Sequence, residues 1–184
     1  MTTLQAEIAL MSHFDIRKNI IVPCVSDWSN MLMFETDLLV LSKSGYATGI
    51  EIKVTKADLK SDLRKKHIKH YGTDKNVLFS NYSNTKDHYY KPFKYFYYAV
   101  PENLKELALE QIPNDFGLIT MSRPKEHPEY IYREHPEWIH IVRIVREPKV
   151  LHKVAWSDKQ IFNLLRVGTM RIYNLKRTIE KLKN

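Results

Sequence analysis

In Thr36-Asp37-Leu38-Leu39-Val40-Leu41-Ser42-Lys43-Ser44-Gly45-Tyr46-Ala47-Thr48-Gly49-Ile50-Glu51-Ile52-Lys53-Val54, two apolar runs meet across a short polar link that ends in glycine. Thr36–Leu41 and Tyr46–Val54 read as the strands of a β-hairpin, with Gly45 in the left-handed region that the turn requires. With Lys43, Ser44 and Gly45 as the loop, Ser42 faces Tyr46, and the same register sets Asp37 opposite Glu51. Bulky Leu39 and Leu41 then oppose small Gly49 and Ala47, while Leu38 and Val40 oppose Ile50 and Thr48 on the other face. A bulge at Gly45 or Gly49 would shift this pairing by one residue.

The register has a chemical consequence. Directly paired residues carry Cβ atoms about 4.5–5.5 Å apart, and like charges so placed repel. Lys53 lies two residues beyond Glu51, on the same face by the strand period of two. Asp37, Glu51 and Lys53 therefore converge. Two carboxylates with room for water suit Mg²⁺, a hard cation that shares its oxygen ligands with substrate phosphates. A nearby ammonium stabilises hydroxide or a phosphodiester in in-line displacement. An ordinary ionic cluster on a solvated sheet face fits the same three charges, and the residues alone leave both readings open.

Upstream, residues 3 to 17 carry a helical pattern in which Leu4, Glu7, Met11 and Phe14 share one arc, flanked by Ile8 and Leu10. Glu7 thus lies inside an apolar stripe, where a carboxylate is costly unless neutralised, hydrogen-bonded or metal-bound. An edge glutamate reaching water is the plainer alternative. Asn19–Val25 reads as a strand and Ser26–Asn30 as a loop.

Downstream, Thr55-Lys56-Ala57-Asp58 has the form of a capping box and predicts a helix over 55–71, stopped by Gly72. It carries Lys56, Lys60, Arg64, Lys65, Lys66 and Lys69, placed either to contact phosphates or to form a solvated face paired with Asp62. A polar stretch, 75–91, precedes an aromatic strand, Tyr95–Val100. A short helix over Glu102–Glu110 and a strand over Phe116–Met121 follow. Lys-Glu-His-Pro-Glu-Tyr and Arg-Glu-His-Pro-Glu-Trp repeat a motif between Lys125 and Trp138, ahead of a strand over Ile139–Val145.

Ser157-Asp158-Lys159-Gln160 is a second capping box, opening a helix to about Leu182. Ile161, Leu165, Gly168, Ile172, Leu175, Ile179 and Leu182 recur at alternating spacings of four and three, a seam for a helix of this domain or of a second copy in a homodimer. From Lys153 onward eight Lys or Arg stand against Asp158 and Glu180, a net +6 that would let the outer face bind DNA while the seam docks or dimerises.

The whole chain bounds these readings. Its 184 residues suit one domain with a modest extension. Five glycines form neither GxGxxG nor GxxxxGK[ST], which excludes the common dinucleotide and P-loop cradles. A single cysteine, Cys24, precludes an intramolecular disulfide or a Cys-based zinc cluster, and no HExxH occurs. No apolar run has signal or membrane-spanning length, so a cytoplasmic location is expected. Lys plus Arg number 29 against 21 Asp plus Glu, a net +8 that favours a polyanionic partner.

Asp37, thirteen residues, then Glu51-Ile52-Lys53, on a hairpin behind a helix carrying Glu7 and ahead of another helix, resembles the PD-(D/E)XK restriction-endonuclease-like nucleases. Glu51-Ile52-Lys53-Val54-Thr55-Lys56-Ala57-Asp58-Leu59-Lys60-Ser61-Asp62, with Tyr97-Tyr98-Ala99-Val100-Pro101 and Phe116-Gly117-Leu118-Ile119, looks like the MmcB-like DNA-repair group and related phage-encoded proteins, over about residues 4–146. Thr36 stands where the motif has proline.

The resemblance implies an α/β fold with an αβββαβ core, a mixed central sheet flanked by helices and a long C-terminal helix. Residues 1–150 would form the nuclease-like domain and 151–184 a basic extension. It implies that Asp37 and Glu51 bind Mg²⁺, that Mn²⁺ substitutes, that the carbonyl of Ile52 is a further ligand, and that Lys53 assists the nucleophile. Glu7 matches the helix-borne acid that some members add to the metal site. The implied activity is hydrolysis of DNA phosphodiesters in repair, recombination or phage DNA metabolism. A DNA-binding module that keeps the fold without catalysis is the alternative, and an RNA-directed or protein-interaction role for the basic helix is a third.

Overall fold

A computed structural model describes residues 1–25, 35–64, 66–67, 73–74, 93–123 and 140–183, with backbone only at 62–64, 66–67 and 73–74. The elements are α1 (Thr3–His13), β1 (Ile20–Val25), β2 (Thr36–Leu41), β3 (Ala47–Ile52), α2 (Lys56–Arg64), β4 (Lys66–His67), β5 (Thr73–Asp74), β6 (Tyr95–Pro101), a 3₁₀ turn (Glu102–Leu104), α3 (Lys105–Gln111), β7 (Gly117–Ser122), β8 (Ile141–Arg146) and α4 (Asp158–Lys183). Six strands form one sheet in the order β1-β2-β3-β6-β7-β8, and β4 and β5 form a separate pair. β1, β2 and β3 are successively antiparallel, β3, β6 and β7 run parallel, and β8 returns antiparallel. The fold is therefore mixed α/β around a mixed sheet, with a long C-terminal helix.

The hairpin has the expected register, Leu38 with Ile50, Leu39 with Gly49, Val40 with Thr48 and Leu41 with Ala47. Gly45 turns it with φ +77°. Side chains alternate across the sheet. Leu38, Val40, Ile50 and Ile52 pack with Ala6 and Leu10 of α1 and with Tyr97, Ala99, Ile119 and Met121. Leu39, Leu41 and Ala47 pack on the opposite face with Leu59, Phe96, Tyr98, Phe116, Trp156 and Leu164. Gly49 belongs to that second face, where a Cβ would come within 2.8 Å of the Phe96 ring and 2.9 Å of the Phe93 ring.

Two helices end sooner than their patterns suggest. α1 starts on a reciprocal cap, Gln5 N–H to Thr2 Oγ1 at 3.2 Å and Thr2 N–H to Gln5 Oε1 at 2.9 Å. It stops at His13 rather than residue 17, because Asp15 turns into the left-handed region at φ 53°. There its carboxylate accepts from Arg17 N–H at 3.2 Å and pairs with Lys18 at 2.8 Å. Such local side-chain bonds compete with helical ones. α2 stops at Arg64 rather than Tyr71, and the chain pairs instead as β4 with β5. Past Leu63 the next apolar residue, Ile68, falls off the Leu59–Leu63 stripe, and Arg64, Lys65, Lys66 and Lys69 crowd like charge onto successive turns. The repeated motif, the loop from Ser26 and the polar stretch over 75–91 lie outside the described residues.

The segment from Leu151 belongs to the body of the protein before it leaves it. Trp156 N–H donates to the Gly45 carbonyl at 2.8 Å, and the indole is buried. α4 opens on the Ser157 box, with Ser157 N–H to Gln160 Oε1 at 2.9 Å. Leu164 is buried in the core, with Ile161 and Val167 packed beside it. Every residue of α4 from Thr169 onward is exposed. Among the described residues no helix is long and apolar enough to cross a membrane.

Candidate active site

Asp37 is the second residue of β2, Glu51 the penultimate residue of β3, and Lys53 follows β3 directly. Carried one residue beyond the Leu38–Ile50 pair, the register sets Asp37 opposite Glu51. The parallel partner of Glu51 on β6 is Tyr98. On the other side, Pro23 pairs with Leu38 and Val25 with Thr36, which sets Cys24 beside Asp37. Asp37, Glu51 and Tyr98 thus form a row across three strands, while Cys24, at φ 49°, breaks the alternation of β1 beside them.

The three charged groups read from the hairpin meet. Lys53 Nζ lies 2.8 Å from Glu51 Oε1 and 3.7 Å from Asp37 Oδ2. Both Glu51 and Lys53 are only 5% exposed. Burying ions is expensive unless they are paired and hydrogen-bonded, and Glu51 and Lys53 meet that condition through each other, while Asp37 keeps part of its side chain in solvent. Asp37 is fixed by the backbone, its Oδ2 accepting from Ile52 N–H at 2.7 Å. The peptide of Lys53 is held by Ala99 O at 3.0 Å. Thr36, where the resembled motif has proline, is buried and donates from Oγ1 to Ile50 O at 3.3 Å, a second tie between the strands.

Glu7 approaches from α1. Burial, and after it the negative charge of Asp37, pushes its carboxyl above the ordinary range. The Cys24 thiol is raised by burial first and then by Glu7, opposed by Arg171, with Asp37 and Glu35 adding to the rise. The charges of Glu7, Arg171, Asp37 and Glu35 thus all act at the end of β1. Arg171 donates from Nη2 to the Cys24 carbonyl, bringing α4 to this edge of the sheet. Glu35 escaped the sequence reading although it stands two residues before Asp37, while Arg171 left no signal at all at its separation of 147 residues from Cys24.

Of the cations ahead on the chain, Lys56 is exposed and Lys60 half-buried on α2, whose start is capped by Thr55 Oγ1 accepting from Asp58 N–H at 3.1 Å. Leu59 anchors that helix in the core. Arg64 closes it, Lys66 lies in β4 instead of on the expected helical face, and Lys65 and Lys69 fall outside the described residues.

Among the described residues no three His, Cys, Asp or Glu side chains form a metal-holding group. The donor set at the hairpin is two carboxylates with the Ile52 carbonyl between Glu51 and Lys53 in the chain. That set fits Mg²⁺ or Mn²⁺, which take few protein oxygens and complete their shell with water and substrate phosphate. It lacks the thiolate and imidazole ligands of a structural zinc site.

No family model matches the chain. No curated protein matches it. A solved structure of a protein of unknown function from Silicibacter pomeroyi is similar to it with a TM-score of 0.56 at 12% identity, covering 100% of this chain and 94% of that one. That likeness is one of fold alone.

Proposed function

We propose that this protein is a Mg²⁺-dependent DNA nuclease built on a restriction-endonuclease-like core. One observation carries the reading: a nearly buried lysine, Lys53, stands 2.8 Å from Glu51 and 3.7 Å from Asp37 at the ends of adjacent strands. The order α1-β1-β2-β3-α2-β6 around a mixed sheet agrees with the αβββαβ arrangement that the motif resemblance implies. The net charge of +8 suits a polyanionic substrate.

In this reading Asp37 and Glu51, with the Ile52 carbonyl, hold the metal, and Mn²⁺ substitutes for it. Bound there, Mg²⁺ would activate a water and neutralise charge on the phosphodiester. The protein's own groups do the rest. Ile52 N–H holds one oxygen of Asp37 in place. Lys53, placed between two carboxylates, orients the attacking water and stabilises the anionic phosphorane-like transition state. Glu7, close enough to Asp37 to feel its charge, would add a helix-borne acid to the metal site. Lys56 and Lys60 contact phosphates flanking the cut. Repair, recombination or phage DNA metabolism is the corresponding setting.

The test is cleavage of single-stranded, duplex, flapped and four-way-junction DNA with Mg²⁺ or Mn²⁺, comparing the wild type with Glu51→Ala and Lys53→Ala. Cleavage by the wild type and its loss in both variants supports the reading. Metal-independent DNA binding with no cleavage of any substrate replaces it with a binding module.

A further inference from the structure

We infer that α4 is a phosphate-binding arm of the same site, tracking the backbone of the nucleic acid whose phosphodiester lies at Asp37, Glu51 and Lys53. This rests on the nuclease reading for its substrate, but on separate residues for its evidence.

The arm is rooted beside the acids. Leu164 fixes the first turns in the core, and Gly168 faces Val22 of β1. Arg171 then binds the Cys24 carbonyl, in the strand position beside Asp37. From this root Thr169–Lys183 stands exposed, a length of about 22 Å at 1.5 Å per residue.

Along that length Arg171, Lys176, Arg177, Lys181 and Lys183 stand against Glu180. At about 100° per residue, Arg166, Met170, Tyr173, Arg177 and Lys181 fall on one stripe, on the side away from the apolar seam. Within it the Arg177 guanidinium lies 5.7 Å from the Tyr173 ring centre, a planar cation backed by an aromatic face. Stacked arginine beside further cations is the chemistry that binds phosphates and unpaired bases. Arg177 and Lys181 are four residues apart, a like-charge spacing that weakens a helix unless an anion relieves it.

The charges also decide between occupants. The seam residues Ile172, Leu175, Ile179 and Leu182 are exposed too. Yet Arg171, Lys176 and Lys183 flank that seam, so pairing two copies along it would set cation against cation at the positions where paired helices place opposite charges. A polyanion is the complementary partner.

The experiment uses the full chain and a fluorescent DNA duplex and single strand, without divalent metal, and follows binding as a function of salt. Each phosphate contact contributes about 0.9 to the slope of log affinity against log salt on duplex and about 0.7 on a single strand. The triple variant Lys176→Gln, Arg177→Gln, Lys181→Gln is expected to lose roughly 2 to 3 from the duplex slope, with unchanged helical content and mass. An unchanged slope, or no binding by the wild type, overturns the inference. So does a wild-type dimer whose dissociation by Ile172→Ser and Ile179→Ser removes DNA binding while the triple variant keeps it, which makes α4 a self-pairing helix. Glu51→Ala separates the two readings. If the triple variant loses slope while wild type and Glu51→Ala alike fail to cut, the arm stands and the nuclease falls.

Discussion

The peptide N–H of Ile52 donates to Asp37 Oδ2 at 2.7 Å, tying the last residue of β3 to the second residue of β2. One carboxylate oxygen is thereby committed to the backbone, while the other keeps its acceptor capacity. Asparagine preserves an acceptor for the N–H and removes the charge. Asp37→Asn is therefore expected to fold with near wild-type thermal stability and to lose about two orders of magnitude in metal-dependent cleavage. Asp37→Ala, which leaves a part-buried N–H without its acceptor, should cost a further ~1–3 kcal/mol in urea unfolding.

Lys53 and Glu51 form a pair at 2.8 Å, each almost wholly out of water. Removing one member leaves the other's charge in a low-dielectric site, so Lys53→Met is expected to destabilise the protein by about 3–5 kcal/mol. Adding Glu51→Gln should restore much of that loss, since no buried charge is then stranded. A double-mutant cycle by denaturant unfolding reads this directly, and additivity of the two changes would show that the pair is not coupled.

Glu7 gives a dependence on pH. Its carboxyl is raised in the fold, by burial first and by the Asp37 charge second. Between its ordinary and raised values the folded state binds more protons than the unfolded one, so the stability it contributes falls as pH rises through that window. The penalty is complete above the raised value and absent in acid. Glu7→Gln should therefore raise the melting temperature near neutral pH and lose that advantage near pH 4. Equal gains at both pH values would show that Glu7 is not titrating against this environment.

A divalent ion bound by the folded state alone stabilises it by mass action, by about 2.7 kcal/mol at a hundredfold excess over its dissociation constant. Mg²⁺ or Mn²⁺ should raise the melting temperature, chelation should reverse the rise, and Glu51→Gln should abolish it. A rise that survives in Glu51→Gln would place the ion elsewhere.

What was legible in the chain was local. Gly45, and the alternation of leucines with Gly49 and Ala47, set the hairpin register without help from the rest of the fold, and that register is what joins Asp37 to Glu51. Thr55 and Ser157 marked the starts of α2 and α4 because a cap is a contact within one turn. Helix ends were harder. Asp15 ends α1 through a left-handed turn that its own side chain stabilises, and a wheel drawn over 3–17 averages this away. The approach of Arg171 to Cys24 was invisible because it depends on α4 docking across β1, a packing event with no local pattern. Glu35 was overlooked because it lies just before β2, where the alternation that singled out Asp37 has not yet begun.

Gly49 offers the sharpest check on the register itself. Its smallness is required by the neighbouring strand, since a methyl there would meet the rings of Phe96 and Phe93 at 2.8 and 2.9 Å. Both rings lie in the core and cannot retreat into solvent. Gly49→Ala is expected to cost about 1–3 kcal/mol through overpacking. Because Gly49 stands two residues before Glu51 on the same face, the strain reaches the site, and cleavage should fall further than the lost stability alone explains. Phe93→Leu, which opens space on that face, should recover part of both losses. If Gly49→Ala leaves stability unchanged in denaturant unfolding, the hairpin is paired in another register and the juxtaposition of Asp37 with Glu51 goes with it.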